Sequence, residues 1–244
     1  KNEIEKYLYS IITMTTMTTS SHYNDLSDFL TKHNSKTIEQ NSGNSLKFTH
    51  TRIPNKELNI YGGSFTIEKE ELPTFYRFYY EHIFVKGRLE YLTEKQLEND
   101  GPLLVDLDFR YDYSVTKRLH TQEHIQDMIS LYLEKLKEII VFEENKQFPI
   151  FIMEKPNVNR LAEEQITKDG IHMIIGIQLD HTIQLMLRDK IIKEIGDIWE
   201  LPLTNSWDKV LDEGISQGSV NWQMYGSQKP GNEAYRLTYY IMAE

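Results

Sequence analysis

The sequence contains no cysteine, and this absence removes several classes of protein at once. Disulfide-stapled modules, cysteine-based zinc sites, iron–sulfur clusters and thiol nucleophiles are all excluded. Long apolar runs are missing too, because stretches such as Ile171 to Ile177 fall far short of the roughly 20 residues that cross a bilayer. We therefore expect no membrane partner. Without a basic-then-apolar leader, we also expect a protein that is not secreted.

Basic residues are in short supply. The 244 residues include 27 lysines and arginines against 37 acidic residues, which gives a formal net charge of −10. This balance argues against binding nucleic acid through overall basicity. A polyanionic ligand would need a local basic cluster, or metal ions held by some of the carboxylates. The 39% hydrophobic content is ordinary for a folded protein of one large domain or two packed lobes.

Hydrophobic periodicity predicts an α+β fold. Strand-like segments precede a helix capped by Thr121, two more strands follow, and a second helix capped by Asp180 leads to a final strand. We expect residues 1–45 to form a helical and low-complexity extension, with a helix at 3–12 and loops at 13–21 and 35–45. Residues 46–244 would form the catalytic domain. The polar stretch 154–169 is expected to be a long loop or a weak helix.

An aromatic stripe follows Pro73, a residue that helices tolerate in their first turn. Its members recur at helical spacing: Phe75, Tyr76, Phe78, Tyr79 and Tyr80. The pattern favours a helix that packs its rings into a core. The alternative is a platform on which single-stranded bases stack.

The first chemical signal is a pair of aspartates in an apolar strand, Leu103 to Phe109. Period-two alternation puts Asp106 and Asp108 on one face, a little under ~7 Å apart along the backbone. Two carboxylates on one face repel each other unless a cation lies between them, and oxygen ligands of this kind suit Mg²⁺ or Mn²⁺. Alternatively, the strand ends here and the two acids only meet water.

The second signal surrounds His172, which lies just inside another apolar strand. Gly170 and Lys168 precede it at intervals of two, so the three residues share a face. We expect the glycine to leave room for a ligand near the backbone, while the lysine and histidine point donors at a triphosphate. The alternative for His172 is a hydrogen-bonded core residue.

The third signal begins at Asp212 and continues through a turn that carries Ser227 and Lys229. The Gly-Ser-x-Lys-Pro-Gly turn can present backbone N–H groups, a hydroxyl and an ammonium to phosphate oxygens. An ordinary hairpin is the alternative.

In this order, the three signals resemble the archaeo-eukaryotic primase, or primase-polymerase, superfamily. The segment from Asn221 to Gly231, with Ile60 to Phe65 upstream, is most similar to the primase domains of helicase-primases of nucleocytoplasmic large DNA viruses, giant viruses and poxviruses among them. The similarity covers roughly residues 46 to 242. It implies an RRM-like catalytic sheet packed with an N-terminal αβ unit.

The resemblance also implies roles for particular residues. Asp106, Asp108 and Asp212 would be catalytic and would bind two divalent ions, Mg²⁺ or Mn²⁺, with Asp208 left open as the alternative third ligand. The nucleotide-binding residues would be His172, Lys168, Gly170, Lys229, Ser227 and Arg52. Related primase-polymerases carry an arginine where Gln223 stands, and Arg52 or Arg236 is a candidate for that missing charge.

The implied function is a nucleotidyltransferase, a DNA-directed primase or primase-polymerase, acting in viral DNA replication. Its partners would be a single-stranded DNA template, nucleoside triphosphates and a helicase domain downstream in the same parent chain, because no Gly-x4-Gly-Lys-Ser/Thr motor motif is present here. The expected location is the host cytoplasm or a viral replication factory. Two alternatives stay open: a metal-dependent nuclease with His172 as general base, and a catalytically degenerate module that binds single-stranded DNA or docks within a helicase-primase.

Overall fold

The computed structural model describes residues 23–42, 47–142 and 146–244. The chain divides into two compact units: the first runs up to Lys95 and adds Gln223–Gly231, and the second comprises Gln96–Trp222 and Asn232–Glu244. The expected helix at 3–12 and loop at 13–21 lie outside the described residues. The domain boundary at residue 45 stays a prediction, although residues 23–42 belong to the first unit together with the segment that follows them.

The first unit combines short helices with a four-stranded sheet. Its elements in chain order are α1 (Leu26–Lys32), α2 (Ser35–Ser42), β1 (His50–Arg52), β2 (Gly63–Phe65), a 3₁₀ turn (Lys69–Glu71), α3 (Leu72–Tyr80), a π-helical turn (Glu81–Val85), β3 (Leu92–Glu94) and β8 (Trp222–Gln223). The unit boundary falls within β8, so that Trp222 counts with the second unit. The strand order is β2-β1-β3-β8, and β1 pairs antiparallel with both β2 and β3.

The aromatic stripe forms the core of this unit. Phe75, Phe78 and Tyr79 are buried on α3 and pack with residues such as Phe29 of α1. The predicted helix is confirmed. Its three buried rings, Phe75, Phe78 and Tyr79, cannot stack on bases, whereas Tyr76 is exposed and Tyr80 is half-buried.

The expected loop at 35–45 is also wrong over its first part, where α2 forms. Asn34 precedes the helix, and its side-chain oxygen accepts hydrogen bonds from the backbone N–H groups of Lys36 and Thr37. The Ser35 hydroxyl is buried against that of Thr66, at 2.8 Å. Capping and this tertiary contact stabilise a helix that has little apolar periodicity.

The second unit is a five-stranded sheet with two long helices. Its elements are β4 (Pro102–Asp112), α4 (Gln122–Lys137), β5 (Phe148–Glu154), β6 (Asn159–Leu161), β7 (Ile166–Gln178), α5 (His181–Ile198), α6 (Trp207–Val210), α7 (Glu213–Ser216) and β9 (Arg236–Ala243). The order is β4-β7-β5-β9, with β6 paired to β7, and every pairing is antiparallel.

The hairpin of β6 and β7 corrects the expectation of a loop or weak helix at 154–169. Backbone pairing of Asn159 with Lys168 and of Leu161 with Ile166 makes two strands from this polar stretch. Its polarity misled the prediction because the buried side chains in this part of β7, Thr167 and Asp169, are themselves polar and give no apolar alternation.

One face of the second sheet packs on α4 and α5. Leu107 and Phe109 of β4 and Ile171 and Met173 of β7 are fully buried there. The predicted start of α4 at Thr121 is confirmed. The Thr121 side chain accepts from the His124 backbone N–H, and the His124 side chain accepts from the Thr121 backbone N–H. The predicted α+β class holds. In the part of the chain that the structure describes, no helix is long and apolar enough to cross a membrane.

Candidate active site

The face of β4 that points away from the helices carries the aspartate pair. Leu103, Val105 and Leu107 point into the helix-side core, so alternation puts Asp106 and Asp108 on the opposite face. Their side chains are 23% and 41% exposed, respectively. The predicted shared face is therefore confirmed, and both carboxylates are accessible to a ligand.

Strand β7 places the second motif directly beside this pair. Antiparallel register sets Asp106 opposite His172 and Asp108 opposite Gly170. The His172 Nε2 lies 3.5 Å from the Asp106 Oδ1. Residues more than 60 positions apart in the sequence thus meet on one sheet face. Lys168, two residues before Gly170 on this face, pairs in register with Arg110 of β4.

Two aromatic rings enclose the imidazole of His172. Tyr235 stacks on it with centroids 3.6 Å apart and planes at 17°, and Trp222 approaches to 4.5 Å. The side chain of His172 is only 8% exposed. Its ring orientation is therefore fixed by packing as well as by Asp106.

Gly170 makes room for Tyr235. A Cβ built on Gly170 would lie 2.6 Å from the Tyr235 hydroxyl and 2.7 Å from the Leu107 carbonyl oxygen. The expectation that this space is open to a ligand is corrected, because the tyrosine occupies it. Burial, and then the negative charges of Asp106 and Asp108, raise the pKa of Tyr235 well above its usual value, so its hydroxyl stays protonated.

The third acidic residue, Asp212, lies in a segment that runs beside the outer edge of β4. Leu211 forms an isolated bridge with Leu107, and the Asp212 N–H donates to the Asp106 carbonyl oxygen at 3.0 Å. Asp208 instead contacts Arg188, with 3.1 Å between Oδ1 and Nη2. The backbone thus brings Asp212 next to Asp106, while Asp208 takes part in an ion pair with α5.

Comparison with known proteins agrees with this geometry. The model of the family described as "C962R protein N-terminal AEP domain" matches residues 54–241. The chain belongs to this archaeo-eukaryotic primase family. It is also 29% identical over 209 residues to a protein of Acanthamoeba polyphaga mimivirus that carries the name "Putative helicase". That match covers 84% of this chain and 20% of the mimivirus protein, so the chain spans about a fifth of this relative's length. The predicted resemblance to giant-virus primase domains is confirmed.

Three of the predicted nucleotide-binding residues of this primase domain lie in its first unit. The Ser227 hydroxyl is buried, 2.8 Å from the Tyr79 hydroxyl, and accepts from the Leu92 N–H. These hydrogen bonds give the Ser227 hydroxyl a structural role within the first unit. Arg52 Nε lies 3.2 Å from a buried Glu90 oxygen, and Lys229 is exposed.

A buried ionic network lies on the helix side of the sheet, beneath Gly170. Arg118 binds both oxygens of Asp169, at 2.8 and 2.7 Å, and its Nη1 lies 3.3 Å from Glu154. The Glu154 carboxylate accepts from His120 at 2.7 Å and from the Thr238 hydroxyl. Burial tends to raise the pKa of Glu154, but these hydrogen bonds and the Arg118 charge outweigh it, and the pKa is lowered.

The carboxylates of the primase domain fit a divalent ion in their chemistry. Asp106, Asp108 and Asp212 offer only hard oxygen donors, as Mg²⁺ and Mn²⁺ prefer. Across the described ranges of the chain, no three acidic, histidine or cysteine side chains are grouped so that they enclose a metal ion. In this conformation the Asp212 Oδ1 instead accepts from the Ile215 N–H and caps α7.

Sequence reasoning missed two side chains at this site. Neither Tyr235 nor Arg110 receives a role from the sequence motifs. Arg110 continues the alternation of Asp106 and Asp108 by one more step, and that periodicity was a signal that could have identified it.

Proposed function

We propose that this chain is a template-dependent nucleotidyltransferase that synthesises primers in viral DNA replication. One observation carries the proposal: the register of β4 against β7 sets Asp106 opposite His172 and Asp108 opposite Gly170. The Asp212 N–H also donates a hydrogen bond to the Asp106 carbonyl oxygen. The two segments that resemble the acidic and the nucleotide-binding motifs of primases lie on one sheet face, which supports the proposal.

Each group has a defined task in such a reaction. Asp106, Asp108 and Asp212 would hold two Mg²⁺ or Mn²⁺ ions, which supply charge stabilisation for attack of a 3′-hydroxyl on the α-phosphate and departure of pyrophosphate. His172 and Lys168 would bind and orient the triphosphate. The 3.5 Å contact from Asp106 and the Tyr235 ring keep the imidazole in one orientation.

The implied partners are a single-stranded DNA template, nucleoside triphosphates and a helicase region of the same parent chain. The mimivirus relative is named as a helicase and is about five times as long as its matched region, which supports the last partner. Lys229, exposed in the turn of the first unit, remains a proposed nucleotide contact. The host cytoplasm or a viral replication factory is the proposed location.

The test is extension of a labelled template and primer with Mn²⁺ or Mg²⁺, run separately with ribo- and deoxyribonucleotides. Products longer than the input support the proposal. Shortened template indicates a nuclease instead. Oligonucleotide binding that is indifferent to the metal, without any turnover, indicates a degenerate binding module.

Two neighbouring aspartates provide a matched pair for the third carboxylate. Asp212→Asn should lower extension at least tenfold, because it removes a charge beside Asp106. Asp208→Asn should leave extension close to wild type, because that carboxylate contacts Arg188 and is 58% exposed. The reverse result would make Asp208 the third ligand.

A further inference from the structure

Three aromatic rings meet at the surface of the first unit, beside the π-helical turn. Phe84 of that turn lies against Tyr225 with centroids 5.7 Å apart and planes at 20°, and Tyr80 approaches Phe84 to 5.5 Å. These separations are typical of offset-stacked rings. Tyr225 is 36% exposed, while Tyr80 and Phe84 are half-buried. This aromatic row of Tyr80, Phe84 and Tyr225 therefore leaves ring surface accessible to a ligand.

The backbone on both sides of the aromatic row holds it in place. In the π-helical turn the Lys86 N–H donates to the Glu81 carbonyl oxygen at 2.9 Å, and turns of this kind occur frequently at functional sites. Gly226 has a φ of 90°, and a Cβ built on it would lie 2.8 Å from the Phe84 Cζ. Only glycine lets the segment after Tyr225 pass so close to this ring. The row is therefore formed before any ligand arrives.

Two cationic side chains flank the aromatic row. Lys86 and Arg88 are exposed at the end of the π-helical turn, where the Arg88 N–H donates to the His82 carbonyl oxygen at 3.0 Å. This hydrogen bond folds the segment back and keeps the backbone of both cations next to the turn. Between positions 81 and 89 they outnumber the one acidic residue, Glu81. A local excess of positive charge, in a chain whose net charge is −10, indicates an anionic ligand.

We propose that the aromatic row, with Lys86 and Arg88, is a stacking platform for unpaired bases of a single DNA strand. A base lies on the exposed ring of Tyr225 and extends the stack that Phe84 begins, while the two cations bind phosphates of the strand. Every base has a π-face, so the platform binds without sequence preference. The identity of the strand as the template rests on the function proposed above. The binding of a single strand rests on the rings and the charges alone.

The test is fluorescence anisotropy of a labelled oligo-dT with the whole chain, in chelator and without nucleotides, so that neither metal nor catalysis contributes. Tyr225→Leu keeps an apolar side chain but loses the ring, and should weaken binding by about fivefold or more. Tyr225→Phe keeps the ring and should bind as the wild type does. The matched control is Tyr61→Leu, at a 79% exposed tyrosine between β1 and β2, which should also bind normally. Circular dichroism checks the fold of each variant.

The two cations have a readout of their own, the salt dependence of binding. Changing both, Lys86→Gln with Arg88→Gln, should weaken binding and lower the slope of log Kd against log salt concentration by about 0.7 for each lost charge. The control, Lys36→Gln with Lys56→Gln, removes two exposed lysines elsewhere in the first unit and should leave the slope unchanged.

Three results would overturn the platform: no binding of oligo-dT by the wild type, wild-type affinity of Tyr225→Leu, or an equal loss with Tyr61→Leu. Wild-type affinity in every variant would indicate a protein partner for the exposed rings instead. Failure of the proposed function is seen separately, in the extension assay. A chain that binds oligo-dT through Tyr225 but extends no primer keeps the platform and refutes the transferase. Primer extension together with unaffected binding by Tyr225→Leu does the reverse.

Discussion

Removing the Arg118 guanidinium should destabilise the second unit strongly. Arg118→Met keeps most of the aliphatic stem and deletes the charge that both oxygens of Asp169 bind at 2.8 and 2.7 Å. The Asp169 side chain is 0% exposed, so water cannot replace the lost partner. The variant also loses the hydrogen bond from Nη2 to the Lys155 carbonyl oxygen, at 2.8 Å.

The size of the effect follows from this burial. Breaking a buried ion pair by deleting one partner costs about 3–5 kcal/mol, because a charge is left uncompensated. Arg118 is itself 26% exposed, so the lower end of about 3 kcal/mol is expected. Adding Asp169→Asn to Arg118→Met removes the orphaned charge and should recover part of the loss.

Urea unfolding followed by tryptophan fluorescence is the suitable assay, because Trp199, Trp207 and Trp222 all belong to the second unit. Arg160→Met is the matched control. Arg160 is exposed and donates one hydrogen bond to the Tyr113 carbonyl oxygen, so its loss should cost under about 1 kcal/mol. Equal losses for the two variants would refute the reasoning.

Two further predictions concern burial and close packing. Desolvation raises the pKa of the Glu94 carboxyl from 4.5 to about 7 in the folded protein. Because the unfolded chain releases this carboxyl proton at lower pH, the folded state loses stability as the pH rises from about 4.5 to about 7. Glu94→Gln should therefore stabilise the protein at pH 8 by up to about 3 kcal/mol and leave it unchanged near pH 4.5, as measured by thermal unfolding; an equal shift at both pH values would contradict the burial argument. Gly170→Ala should lower the free energy of unfolding by about 1–3 kcal/mol, because its Cβ would meet the Leu107 carbonyl oxygen at 2.7 Å; wild-type stability in urea would show that β4 and β7 separate easily.

Local patterns predicted what depends on local geometry. Alternation put Asp106 and Asp108 on one face, and Thr121 marked the start of α4, because strand pleat and helix capping involve only a few neighbouring residues. The resemblance identified the family, but the motifs alone did not show how the elements pair.

What could not be predicted depends on contacts between distant segments. The position of Tyr235 over Gly170 follows from the strand order β4-β7-β5-β9, which no short stretch encodes. Ser227 has a sequence context that fits phosphate binding, yet its hydroxyl is buried against Tyr79, about 150 residues away. Burial of a polar side chain is a property of the whole fold, and a single sequence shows it poorly.

We propose that the β4 carboxylates hold the metal ions for nucleotidyl transfer, and this role is tested by primer extension with the double variant Asp106→Asn, Asp108→Asn. The control is Asp197→Asn, an exposed aspartate on α5. This control should extend primers as the wild type does. The double variant should lose extension while it keeps the wild-type unfolding free energy, because it relieves repulsion between two like charges without opening the core. Undiminished extension by the folded double variant would show that the two aspartates have no part in the transfer.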